Sequence, residues 1–221
     1  MRNQRVTLGT FLALLCLPAA PLAAQTYEVG VFGGLGRFGG NDLGSLSIDR
    51  PQMGETRFGA SQTPYGVRAT WNTPGYYGHE FGYTRDRPTL NWTLLEEGGV
   101  RTPQRDRVNV DQYSYNFLMY FMPSEARWRP YFTGGAHYQR FGVPTMWNEF
   151  GRNPSKKIGV NYGGGFKLKP HKNLLLRFDF RDNLSGAPYG LSFPQDLGRG
   201  GLRSAGIFRR LELTGGVSIA F

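Results

Sequence analysis

The sequence predicts an all-β protein: an eight-stranded antiparallel up-and-down transmembrane β-barrel preceded by a signal peptide. Three observations carry this reading. Successive segments alternate apolar and polar residues with a period of two, as strands do when their two faces meet different surroundings. The connections between them alternate between long and short. The chain opens on an export-like segment, and nothing after it approaches the roughly 20 apolar residues of a spanning helix.

Arg2 and Arg5 precede an apolar run over 6–17, followed by small residues and prolines up to Ala24. A basic start, a short apolar stretch and a small-residue exit form a secretory signal peptide, here expected at 1–24 with the barrel domain at 25–221. Cys16, the single cysteine, follows Leu15, where a lipoprotein signal would place a small residue, so a lipid anchor is not expected. No cysteine remains after Ala24, and disulfides play no part. The chain of 221 residues carries 26 Lys and Arg against 16 Asp and Glu, a net charge of +10 that falls to +8 without Arg2 and Arg5. A mean hydropathy of −0.42 argues against a helical membrane protein but not against a barrel, whose strands average polar and apolar residues.

The first strand, 27–34, sets Tyr27, Val29 and Val31 against Glu28 and Gly30. Residues 35–63, rich in Gly, Ser, Asp and Pro, form a long loop. The second strand, 64–71, sets Tyr65, Val67, Ala69 and Trp71 against Gly66, Arg68 and Thr70. Asn72 to Gly75 has the residue chemistry of a tight turn. The third strand, 76–85, places His79, Phe81 and Tyr83 opposite Glu80, Gly82 and Thr84, and 86–107 is a second long, charged loop.

The fourth strand, 108–122, carries Tyr113, Tyr115, Phe117, Met119 and Phe121 against Ser114, Asn116, Leu118 and Tyr120. Val108 and Val110 have the other parity, which predicts a bulge near Asp111 or a break in the membrane face. A short turn, 123–127, leads to the fifth strand, 129–141, and a loop over 142–156 leads to the sixth, 157–169. After a turn at 170–173 the seventh strand, 174–181, has Leu174, Leu176, Phe178 and Phe180 on one face and Arg177, Asp179 and Arg181 on the other. A last long loop, 182–208, precedes the closing strand, 211–221, whose odd positions are mostly apolar and which ends on Phe221. No helix is legible after the signal peptide.

Short turns on one side and long loops on the other, with an even strand number, match a transmembrane barrel whose short turns face the periplasm. Eight strands close around side chains rather than water, so a plugged lumen is expected. Alternation alone does not say which face points inward. A soluble lipocalin-like carrier of a hydrophobic ligand would put the apolar face inside. Aromatic residues near strand ends (Trp71, Tyr76, Phe121 and Phe221) and a second face of small residues with charges of both signs favour the inverted arrangement.

The segments 27–34, 78–83, 129–136 and 217–221 together resemble the OmpA/OmpX-like family of eight-stranded outer-membrane β-barrels. The resemblance covers essentially the whole mature chain and rests on patterns rather than invariant chemistry. It implies the outer membrane of a Gram-negative bacterium, a monomer, no cofactor, and a structural or surface-interaction role. It also implies that Phe221 is an assembly signal read by the barrel-assembly machinery. The peptidoglycan-binding domain of full OmpA-type proteins is not expected after Phe221.

Glu28, Arg68, Glu80, Lys167, Arg177, Asp179, Arg181 and Glu212 share the inward parity and are expected to form a salt-bridge network, since buried charges persist only when paired. A gated ion path is the functional alternative. Arg85, Arg87, Lys156, Lys157, Arg203, Arg209 and Arg210, near the outer rim, are expected to meet outer-membrane lipid, including lipopolysaccharide phosphates. Asp86, Glu96, Glu97 and Asp106 partly offset the charge of these loops. No nucleic acid partner is expected for an exported barrel. Enzymes of this membrane that modify lipid A need a histidine beside a serine and a carboxylate. His79, His137 and His171 have no neighbouring serine in such a pattern, so no catalysis is expected, with a lipid A-modifying enzyme as the alternative.

Overall fold

The computed structural model describes residues 26–39, 42–44, 53–96, 100–149, 153–191 and 206–221; the expected signal peptide lies outside them. Eight strands close on themselves: β1 (Thr26–Gly39), β5 (Tyr65–Asn72), β6 (Tyr77–Asp86), β9 (Val110–Tyr120), β10 (Trp128–Phe141), β11 (Ser155–His171), β12 (Leu174–Gly186) and β13 (Ile207–Ala220). Each pairs antiparallel with the next, and β13 returns to β1 in an unbroken register from Glu28–Ala220 to Gly39–Arg209. A two-residue strand β4 (Ser61–Gln62) extends the edge beside β1.

The apolar face points outward. Val31, Phe81, Ile158 and Leu213 are each at least 60% exposed, while Glu28, Glu80, Lys167 and Arg177 are at most 4% exposed. A soluble barrel with a greasy interior would reverse this, so the lipocalin-like arrangement is excluded. Trp71, Tyr76, Phe121, Trp128 and Phe221 ring the short-turn end, and Tyr65, Tyr83, Tyr113 and Tyr138 stand on the outer surface towards the other end. Two such girdles bound the apolar band of a membrane barrel.

The long connections are more ordered than their composition suggests. Within them lie β2 (Asp42–Gly44), β3 (Met53–Phe58), β7 (Thr89–Leu95) and β8 (Arg101–Arg107), which form a separate sheet in the order β2-β3-β7-β8. A five-residue helix, α1 (Thr145–Glu149), lies where only loop was expected. These elements converge on a buried cluster of Phe38, Leu43, Phe58, Leu90, Trp92, Val108, Val110, Phe141, Trp147, Tyr189, Leu191 and Phe208. The rings interlock: Phe38 lies 4.7 Å from both Phe58 and Phe208, and Trp147 lies 5.1 Å from Tyr189. An apolar cap therefore sits over the outer end of the lumen.

Val110 belongs to this cap. The pairing of β9 with β6 and β10 runs through Asp111 without a register shift, so the expected bulge is absent there. The inward parity simply turns from polar to apolar where the strand leaves the lumen for the cap. Among the barrel pairings the irregularity falls between Leu168 and His171, at the short-turn end of β11. Tyr189 adopts a positive φ of 68°, held by its ring contacts and by donation from its hydroxyl to the Gly142 carbonyl at 2.6 Å. Burial pushes its phenol pKa up.

Candidate functional site

The barrel interior is organised in tiers of polar side chains, because every strand presents alternate residues inward and the shear brings distant residues level. Nearest the short turns, Lys167 Nζ on β11 meets Glu28 Oε2 on β1 at 2.6 Å and donates to the Tyr120 hydroxyl at 2.7 Å. Asn72 donates to Glu28 at 2.7 Å and accepts from Tyr120 at 2.6 Å. The Arg129 guanidinium stacks 3.8 Å from the Tyr120 ring centroid and donates to the carbonyls of Gly75 and Met122, covering this tier from below.

The central tier is built on Arg177, which pairs with both Glu80 and Asp179. Arg68 Nη1 reaches Asp179 at 2.6 Å, and Arg181 bridges Glu80 at 2.5 Å and Asp179 at 3.4 Å. Tyr131 donates to Asp179 and accepts from Arg177 Nε at 2.6 Å. Two carboxylates thus hold three guanidiniums and a phenol. Above them Gln112, Gln139, Asn183 and Ser185 form an uncharged amide and hydroxyl network, beside which Arg210 pairs with Glu212. Among the described residues, both ring nitrogens of buried His137 lack a hydrogen-bonding partner in this upper tier.

All eight charged residues singled out from the inward parity thus line the lumen. Tyr120, Tyr131, Arg129 and Arg210 belong with them. Parity was the available signal for the first three, since Tyr120, Tyr131 and Arg129 share it with Leu118 and Thr133. Arg210 was assigned to the rim, and this is corrected: it is 2% exposed and inward-facing, so it cannot reach a lipid headgroup. The reason is that β13 starts at Ile207, several residues before the alternation becomes clear, and carries Arg210 on the face of Glu212 and Thr214.

The other rim residues sit differently. Arg85 is outward-facing and held by Asp111 at 2.8 Å, with the Tyr83 hydroxyl donating to the same carboxylate at 2.7 Å. Arg209 repeats this arrangement: it and the Tyr162 hydroxyl both reach Asp182 Oδ2 at 2.8 Å. Arg87 and Lys156 are exposed, and Arg203 lies outside the described residues; Lys157, expected at the rim, is half-buried on the inward parity of β11, opposite buried Gln139. Arg85, Asp111, Arg140 and Lys156 stand opposite one another on consecutive strands, forming one outward row above the tyrosines. Arg140 is a member of that row that sequence reasoning passed over.

Phe221 is exposed at the end of the β1–β13 seam, its amide donating to the Tyr27 carbonyl at 2.9 Å. His79 faces outward between Trp71 and Phe117 and bonds the Tyr115 hydroxyl at 2.8 Å. The acid nearest it in β6, Glu80, points to the opposite face. Among the described residues no three His, Cys, Asp or Glu side chains converge as metal ligands.

Solved structures of similar fold include the outer membrane protein OprG from Pseudomonas aeruginosa (14% identity, 90% of this chain and 96% of that chain covered, TM-score 0.57). Neisserial surface protein A is similar over 88% of this chain and 97% of its own, at 16% identity and a TM-score of 0.55. Ail, the attachment invasion locus protein of Yersinia pestis, solved with the heparin analogue sucrose octasulfate, matches over 90% of this chain and all of its own, at 11% identity and a TM-score of 0.51. No curated protein matches by sequence. A family model for the outer membrane protein beta-barrel domain matches residues 9–193. With its closed barrel of eight strands, apolar outside and charged inside, the chain belongs to the outer membrane protein beta-barrel domain family and resides in the bacterial outer membrane.

Proposed function

We propose that this barrel works without catalysis, as a structural and surface-interaction protein with a plugged lumen. The observation that carries the reading is the interlocked central tier, Arg68, Arg177 and Arg181 against Glu80 and Asp179, beneath an apolar cap. An ion crossing the lumen would have to displace paired charges and then enter an apolar cluster. A surface role is supported by the similar fold of Ail, the attachment invasion locus protein of Yersinia pestis. Full-length protein in planar bilayers is expected to show no large, steady single-channel currents, and such currents would overturn the plugged lumen. Lipid A mass spectra are expected to be the same with the gene deleted or overexpressed; a changed acyl pattern would favour the enzyme.

Its partners in this reading are outer-leaflet lipids. In this reading the row Arg85, Arg140 and Lys156, with Arg87 and Arg209 around it, meets lipopolysaccharide phosphates, while the tyrosines below fix the depth of the barrel. Replacing Arg140 and Lys156 with Ser should lower the lipopolysaccharide that co-purifies with the barrel, and unchanged retention would remove these residues from the contact. Phe221 serves as the assembly signal for the barrel-assembly machinery, and the barrel acts as a monomer. Normal membrane insertion of a chain lacking Phe221 would refute that role.

A further inference from the structure

The sheet β2-β3-β7-β8 has one face committed to the cap through Leu43, Phe58, Leu90 and Trp92, and a second face that is exposed. Along its edge strand β8, Arg101, Pro103, Arg105 and Arg107 are exposed, while Thr102, Gln104 and Asp106 alternate with them on the half-buried face. Asp106, which by sequence would offset these arginines, accepts from Trp92 Nε1 at 2.8 Å on that other face. Asp86 is 1% exposed on the inward face of β6, and Glu96 accepts from Thr102. Strand alternation has therefore set Asp106 away from the β8 arginines, and Asp86 is turned into the barrel; Glu97 lies outside the described residues.

Arg105 stands opposite Asn91 on β7, and Asn91 stands opposite Arg57 on β3, so a fourth exposed arginine shares the face. Glu55 is exposed on this face two residues before Arg57, and Asp42 of β2 stands opposite Arg57 in the register. Residues two apart on a strand are about 6.8 Å apart and strands about 4.8 Å apart. Arg101 to Arg107 therefore mark a line of about 20 Å, with Arg57 about 10 Å to its side. Arg85 and Arg209 on the barrel wall are engaged by aspartates, but among the described residues no ion pair occupies Arg57, Arg101, Arg105 or Arg107. The face lies at the long-loop end of the barrel, which is the outside of the cell.

From this placement we infer that the exposed face of the cap sheet binds an extended anionic polysaccharide, its successive sulfate or carboxylate groups meeting Arg101, Arg105 and Arg107 along β8. Arginine suits the task because its planar fork grips an oxyanion through two donors. Repeated anions along a stiff sugar chain match repeated guanidiniums along a strand. Neutral Thr89, Asn91 and Thr93 on the adjoining strand supply hydrogen-bonding partners for sugar hydroxyls.

The test uses the full-length barrel in detergent, with dextran sulfate as probe and neutral dextran as control, read by surface plasmon resonance across a salt series. Dextran sulfate should bind and neutral dextran should not. The joint replacement of Arg101, Arg105 and Arg107 by Ser should weaken binding about tenfold or more and flatten its salt dependence, because fewer counterions are exchanged. Arg105→Glu alone serves as a second variant if the triple change impairs folding, which unaltered heat-dependent gel mobility excludes. The wall variant Arg140→Ser with Lys156→Ser should bind dextran sulfate like the parent. The inference is overturned if the parent fails to bind dextran sulfate, if the β8 variants bind it as the parent does, or if the wall variant loses it. It is also overturned if the β8 arginines matter for lipopolysaccharide micelles but not for dextran sulfate.

Discussion

Replacing Glu28 with Leu breaks the pair that ties β1 to β11 across the lumen at 2.6 Å. Lys167, 2% exposed, would keep the Tyr120 hydroxyl but lose its carboxylate. Removing one partner of a buried ion pair costs about 3–5 kcal/mol, because the remaining charge stays desolvated without compensation. A loss of that size lowers the folding equilibrium constant by about a hundredfold to a few thousandfold. Replacing both partners, Glu28→Leu with Lys167→Met, removes the uncompensated charge and should return stability to within about 1–2 kcal/mol of the parent. Equilibrium urea unfolding from phospholipid vesicles, followed by tryptophan fluorescence and gel mobility, gives all four corners of the cycle. If Glu28→Leu alone lies within about 0.5 kcal/mol of the parent, the tier does not act as a paired network. A double variant that is worse than the sum of the singles would refute the reasoning equally.

Trp147→Ala should hollow the cap by a large-to-small change worth up to about 3–5 kcal/mol. It should increase protease cleavage in the outer segments while the barrel keeps its folded gel mobility; uncut outer segments would show that Trp147 does not hold the cap. Gly163→Ala points a methyl inward against the Phe180 carbonyl of the neighbouring strand and should abolish or slow folding into vesicles. Gly134→Ala, whose added methyl would meet the Asn161 carbonyl at 3.9 Å, should fold at the parental rate. Similar folding of the two variants would argue against a tightly closed inner wall. Deleting Phe221 should impair insertion in cells more than folding of the purified chain in detergent, since the signal acts through assembly rather than packing.

The strands that cross the membrane were legible because their signal is local. Tyr113, Tyr115, Phe117 and Met119 declare one face of β9 whatever the rest of the chain does, since side chains alternate at every residue. The cap was not legible for the opposite reason. Phe58 is an isolated apolar residue in polar surroundings, and Leu90, Trp92 and Leu94 alternate with Thr89, Asn91 and Thr93 only over a short run inside a charged connection. They become a core only when β3 and β7 pair, Trp147 and Tyr189 arrive from two other connections, and Phe208 arrives from the start of β13. Proline and arginine in β8 read as loop, yet an edge strand tolerates both, because one of its sides needs no hydrogen-bonding partner.

By itself, then, the sequence determined the number of crossing strands, the inward parity of eight charged residues within them, and the placing of short and long connections. All of these follow from a two-residue period and from turn chemistry. Closure decided the rest. It turned the apolar parity outward, and it set Lys167 against Glu28 and Arg177 against Glu80, pairs separated by 139 and 97 residues in the chain. The early start of β13 carried Arg210 into the lumen, and the pairing of β7 with β8 left the arginines of β8 facing solvent. The physical reason is that shear and curvature set which inward residues lie level, and these are properties of the closed sheet that no single strand carries.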